Sequence, residues 1–275
     1  MDRYEGAEFR LPPLKGILES DFRIPFISYF LLFQIIGYFI RIYAWKSYSG
    51  FKQYRLRNLT LCLFHSSISG MWSFIFSITH QRVMLEETIH WYGTWGAQLP
   101  VLSMAYFICD TIDMLRHEIS KWTIELLFHH AASVFVFASA VLSRKFIPYA
   151  YWALLMEINS IFLHLRSLMQ ITGYSILRQS VFRVIQFTNI ITFVLFRFAV
   201  QIWQINWAWI NRHHFHIFYL GIALIGGAFF FIINIILFLR ILASDGYLGE
   251  FGRQYTAINR DSQKSIHIME DTKNS

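Results

Sequence analysis

The chain has 275 residues, 55% of them hydrophobic and 15% charged, with a mean hydropathy of +0.41. A water-soluble domain of this size cannot bury that much apolar surface, so the excess must face lipid. The formal charge of +7 falls beside apolar runs and not in an aromatic-interleaved patch, which excludes nucleic acid as a partner and points to a membrane surface.

Residues 1–23 are polar, mixed in charge and broken by Pro12 and Pro13, so they lack the apolar centre of a cleavable signal peptide. The first apolar run is expected to serve as signal and anchor together. Crossing about 30 Å of hydrocarbon takes about 20 apolar residues in a helix. By that rule the chain is an all-α, polytopic integral membrane protein with about seven transmembrane helices, at 25–43, 59–79, 94–115, 122–142, 148–169, 182–205 and 215–242. The third and fifth contain charges that count against them, so six spans is the alternative. Fourteen lysines and arginines flank the spans on the side of the C-terminus against eight on the other, which predicts a cytosolic C-terminus and an outer N-terminus. The basic loop at 46–57 is the strongest element of that bias; it fixes topology or docks anionic lipid. The sequon at Asn58 falls on the cytosolic edge of the second span, away from glycosylation. From Ser244 onward the chain is polar and reads as a disordered tail. The expected organisation is therefore 1–57 as N-terminal segment, first helix and basic loop, 58–242 as the main domain, and 243–275 as tail.

Cys62 and Cys109 lie inside apolar runs without ligand spacing, so neither a disulfide scaffold nor a metal site is expected. The polar residues inside the spans are the informative ones, because each costs at least about 2.5 to 3.5 kcal/mol at mid-bilayer and so faces the bundle interior. Asp110, Asp113 and His117 share one helix face. Glu125, His129 and Ser133 recur every fourth residue, with His130 adjacent. Glu157, Ser160 and His164 form another stripe, with Asn159 and Arg166 beside it. Gln186, Asn189, Arg197 and Gln201 follow on the sixth span. Together these stripes can enclose one intramembrane cavity. Arg197, Arg166 and Asn189 read best as cross-helix ties. His129 and His130 read as functional, since adjacent histidines point about 100° apart and an imidazole can move a proton or carry an acyl group. Glu125, one turn before His129, is positioned to fix its tautomer. A further group, His213, His214 and His216, lacks an H-x3-H box and reads as interfacial, not as a di-iron site.

The order YFICDTIDML, LLFHHAASVF and YWALLMEINSIFLHLRSLM resembles the TLC domain shared by ceramide synthases and translocating-chain-associated membrane proteins, over about 58–242. The resemblance implies a six-helix barrel behind one extra N-terminal helix. In ceramide synthases the tandem histidines, carried here by His129 and His130, lie in a barrel that receives an acyl chain and are implicated in acyl transfer to a long-chain amine. Those enzymes then carry an acidic HD-x-x-D segment. Here the segment reads MEINSIFLHLR, with Glu157 and Asn159 in place of the acidic pair and no preceding histidine. That segment is instead similar to the calfacilitin-like branch of TLC-domain proteins, tied to membrane fluidity.

What this branch implies is a regulator that limits long polyunsaturated chains in membrane phospholipids at the plasma membrane, with the endoplasmic reticulum also open. Its partners would be phospholipids or acyl chains, held in a cavity shaped by Asp110, Glu125, Ser133, Asn159, His164, Asn189 and Arg197, and no cofactor is expected. The second reading is an acyltransferase taking acyl-CoA as substrate, with His129 or His130 as base or transient acyl carrier and Asp113 or Glu157 orienting the acceptor. A receptor or transporter ranks last, since no outer cysteine pair or signalling motif is present.

Overall fold

The computed structural model describes residues 4–117, 121–250 and 252, and side chains throughout these except at 121–123; of the expected tail at 243–275, residues 251 and 253–275 lie outside the described residues. The described residues form helices and no strands. The long elements are α1 (Ser20–Tyr43), α2 (Gly50–Thr79), α3 (Gln98–His117), α4 (Lys121–Ser143), α5 (Ile147–Leu154), α6 (Met156–Thr172), α7 (Gln179–Ile210) and α8 (Ile217–Ser244).

Five of these are long and apolar enough to cross a membrane: α1, α2, α4, α7 and α8. The other two expected spans are helical but fall short of that measure, the third through its polar content and the fifth because it is broken into two shorter helices. Helix α3 carries Asp110, Asp113 and Arg116, and α5 and α6 divide the fifth span at Leu155. The N–H of Leu155 is shared between the carbonyls of Tyr151 and Trp152, a local tightening that ends one helix and starts the next. Helix α2 begins earlier than expected. The basic stretch read as a loop at 46–57 is helical from Gly50, because Lys52, Gln53, Arg55, Leu56 and Arg57 are good helix formers whose polar heads reach past the apolar run. Helix α6 ends at Gly173, whose φ of 83° is the left-handed cap that a residue with a Cβ adopts at a cost.

Six helical positions close into a ring. Helix α2 packs on α6, α6 on α7, α7 on α8, and α3 bridges α2 and α4. The ring is completed between α8 and α4 by an Arg240–Glu125 ion pair and by His129 against Phe230, ring centroids 5.0 Å apart. Helix α1 stands outside the ring against α3, with most of its side chains facing outward, including Ile24, Leu31, Ile35 and Phe39. The tightest seam is α2 on α6. A Cβ at Gly70 would meet the backbone N of Ile158 at 3.0 Å and the carbonyl carbon of Glu157 at 3.1 Å, so only glycine allows this approach.

Candidate functional site

The ring encloses a cavity of about 550 Å³, within the range of ligand pockets. It runs from Gln204 and Ile222 to the end of the bundle where α2 begins and α8 finishes, at Arg55, Gln170 and Ser244. Phe137, Leu163, Phe230 and Leu237 supply apolar wall, and a polar cluster interrupts it.

That cluster has two parts. In the first, α2, α3 and α4 meet. The buried Asp110 accepts from Asn58 Nδ2 at 2.6 Å, and its other oxygen lies 3.8 Å from Nε2 of His130. Nδ1 of His130 lies 3.5 Å from the Thr111 hydroxyl, and its ring leans on Phe107. A carboxylate on one side and a hydroxyl on the other therefore flank the imidazole. His129 also lines the cavity, its ring between those of His130 and Phe230. Ser133 lines it too and returns its hydroxyl proton to the His129 carbonyl at 2.9 Å, the usual way a helix absorbs a serine in an apolar setting.

In the second part α6, α7 and α8 are tied by Arg197, which is 7% exposed. Its Nε donates to Asn159 Oδ1 at 2.7 Å, Nη1 to Asn234 at 2.9 Å and Nη2 to Ser160 at 2.9 Å. Asn159 in turn donates to the carbonyl and side chain of Asn189 and to Thr192, and Asn234 donates to Gln201. Arg197 sits in a π-turn, Val194–Ala199, and α8 carries another at Ile222–Gly226. Each widens its helix locally, and just past the second Gln201 donates to the Gly227 carbonyl at 2.9 Å. Between the two parts, Glu157 accepts from Ser66 at 2.8 Å and lines the cavity beside His164.

The candidate residues do not all converge. Asp110, Glu125, His129, His130, Ser133, Glu157, His164 and Arg197 line the cavity. Asp113 does not; it pairs with His117 of its own helix at 3.6 Å. Asn159 and Asn189 stand behind Arg197 in the wall. Glu125 turns to Arg240 at 2.9 Å and not to His129. Sequence reasoning missed Asn58, Ser66 and Asn234; the signal is only that Ser66 and Asn234 are polar residues inside apolar runs, while Asn58 sits at the edge of one and carries none. Among the described residues no group of three or more His, Cys, Asp or Glu is placed to hold a metal. His216 caps α8 by accepting from the N–H of Phe218 at 3.1 Å, apart from the cavity.

The family profile described as the TLC domain matches residues 55–243, the whole ring from the first turns of α2 to the end of α8. This chain belongs to the TLC-domain family. It is similar to TLC domain-containing protein 2 of Danio rerio, 34% identical over 194 residues, 70% of this chain and 77% of that one. TLC domain-containing protein 2 of Homo sapiens is 30% identical over 68% of this chain and 70% of its own. TLC domain-containing protein 1 of Homo sapiens is 29% identical over 70% and 76%. No solved structure matches the chain. As a TLC-domain protein with five helices apolar and long enough to cross a bilayer, it is a multi-pass membrane protein with a lipid-related function.

Proposed function

We propose that the chain holds the acyl chain of a membrane lipid inside the ring and so limits the entry of long polyunsaturated chains into phospholipids, setting membrane fluidity. The observation that carries this reading is the cavity itself: a mainly apolar-walled space in a membrane helix ring, with charged and polar side chains set among the apolar ones, suits an amphiphile better than a polar solute. The plasma membrane, with the endoplasmic reticulum as alternative, and a cytosolic C-terminus belong to the same proposal.

The test is a phospholipid acyl-chain profile of cells lacking the protein and fed a polyunsaturated fatty acid. Wild type is expected to lower polyunsaturated phospholipids on rescue. Ala153→Trp, which places an indole in the cavity, is expected to fail at equal expression. If wild type changes nothing, the reading is wrong.

One observation favours a second reading, acyl transfer. His129 and His130 both line the cavity and Asp110 backs His130. An imidazole there would take the proton of an acceptor hydroxyl or amine as it attacks a thioester carbonyl, and return it to the departing thiolate of coenzyme A. His129→Ala/His130→Ala that rescues the acyl-chain profile fully would remove this reading and leave the binding role intact.

A further inference from the structure

Three arginines reach the end of the cavity where α2 begins and α8 finishes: Arg55, Arg166 and Arg240. Two are neutralised. Arg166 Nε is 3.0 and 3.2 Å from the two carboxylate oxygens of Asp245, and Arg240 Nη1 is 2.9 Å from Glu125. Arg55 is different. It is half-buried on α2, lines the cavity, and has no hydrogen-bond, ion-pair or ring partner among the described residues.

Its position compounds the misfit. Arg55 lies in the second turn of a 30-residue helix whose first turn holds Lys52 and no acidic residue. The N-terminal end of a helix carries partial positive charge, so cations there are disfavoured and anions are favoured. A half-buried guanidinium beside the cavity, close to the positive end of a helix and next to arginines already matched by carboxylates, has no counter-charge among the described residues. Guanidinium suits a phosphate in particular, through paired charge-assisted donors.

We propose that Arg55 receives the phosphate of an acyl-bearing amphiphile whose apolar chain lies in the cavity. This rests on the acyl-binding reading above and adds the headgroup chemistry to it. Two sources carry that chemistry, a phospholipid-type headgroup and the phosphates of acyl-CoA.

The full chain, purified in a non-ionic detergent, separates them by displacement of a fluorescent fatty-acid probe. The competitors are oleoyl lysophosphatidate, oleoyl-CoA and uncharged monooleoylglycerol. For wild type, one or both phosphate-bearing competitors are expected to bind about tenfold tighter than monooleoylglycerol, an advantage that shrinks with added salt. Arg55→Gln is expected to abolish the advantage without altering monooleoylglycerol binding, and Arg55→Lys to retain part of it. The tighter phosphate competitor names the source. Equal binding of all three to wild type, or an unchanged preference in Arg55→Gln, overturns the assignment and leaves the acyl-binding reading standing. Failure of the probe and of every competitor to bind wild type overturns both.

Discussion

Replacing Asn159 by alanine probes how the wall of the cavity is held. Asn159 is fully buried and joins three helices: its Oδ1 accepts from Arg197 on α7, and its Nδ2 donates to Asn189 and Thr192, also on α7, while Arg197 continues to Asn234 on α8. An interhelical polar contact in a membrane contributes about 0.6 kcal/mol on average and up to about 1.7. Asn159→Ala removes its links to Arg197, Asn189 and Thr192 and leaves a buried guanidinium N–H unsatisfied, so the expected loss is about 1–3 kcal/mol. Asn159→Asp keeps the acceptor for Arg197 and supplies a counter-charge, so it is expected to lose less. Ser167→Ala, which removes only a bond within α6 to the Leu163 carbonyl, is the control and should stay within about 0.5 kcal/mol of wild type. The assay is reversible unfolding of the purified protein in mixed detergent–SDS micelles. If Asn159→Ala unfolds within about 0.5 kcal/mol of wild type, the network does not hold the ring together and the reasoning is refuted.

Further outcomes follow from the same packing. Gly70→Ala is expected to destabilise by about 1–3 kcal/mol, because its Cβ meets α6 backbone that cannot yield as a side chain would, whereas Gly221→Ala, with nothing within 4 Å, should be near neutral in the same unfolding assay. Arg166→Ala leaves the carboxylate of Asp245, whose side chain is 0% exposed, without its partner; a loss of about 3–5 kcal/mol is expected, partly recovered in Arg166→Ala/Asp245→Ala. Before α1, the carboxyl of Glu8 lies 3.0 Å from Lys145 Nζ and 3.9 Å from His90. Burial pushes its pKa up, but backbone hydrogen bonding, Lys145 and His90 outweigh burial and hold it below the ordinary 4.5. A depressed carboxyl stabilises the folded state above that ordinary value and loses its contribution as pH falls below it. Hydrogen exchange of residues 4–19, corrected for intrinsic rates, is therefore expected to quicken below pH 4.5 in wild type, and Glu8→Gln is expected to exchange fast already at pH 7.

Much of the ring was legible from the sequence because a charge inside an apolar run has few places to go. Asp110, Glu157 and Arg197 sit on three different spans, and a lipid-facing position for any of them is too costly, so a shared interior follows. Partner choice was far less legible. Asp113 and Asp110 are equally intramembrane by position, yet Asp113 finds His117 four residues along its own helix and leaves the cavity to Asp110. Glu125 has His129 at the same spacing but takes Arg240 from across the ring, since a guanidinium is always charged and an imidazole is not. The two π-turns, one around Arg197 and one just before Gly227, leave no mark of their own in the spacing of residues along α7 or α8. The start of α2 was missed because basic residues were read as a boundary, although helix propensity continued through them.

If the ring is a lipid-acyl site, a fatty acid must reach its inner wall, which site-mapped photo-crosslinking reads out. The full-length protein in nanodiscs is irradiated with a fatty acid carrying a diazirine along its chain, and labelled residues are located by mass spectrometry with and without excess unlabelled fatty acid. Saturable, competed labelling of inward residues such as Met156, Leu163 and Phe230 is expected. Labelling confined to the outward residues, such as Phe187 and Ile232, and unaffected by competitor, would contradict the account.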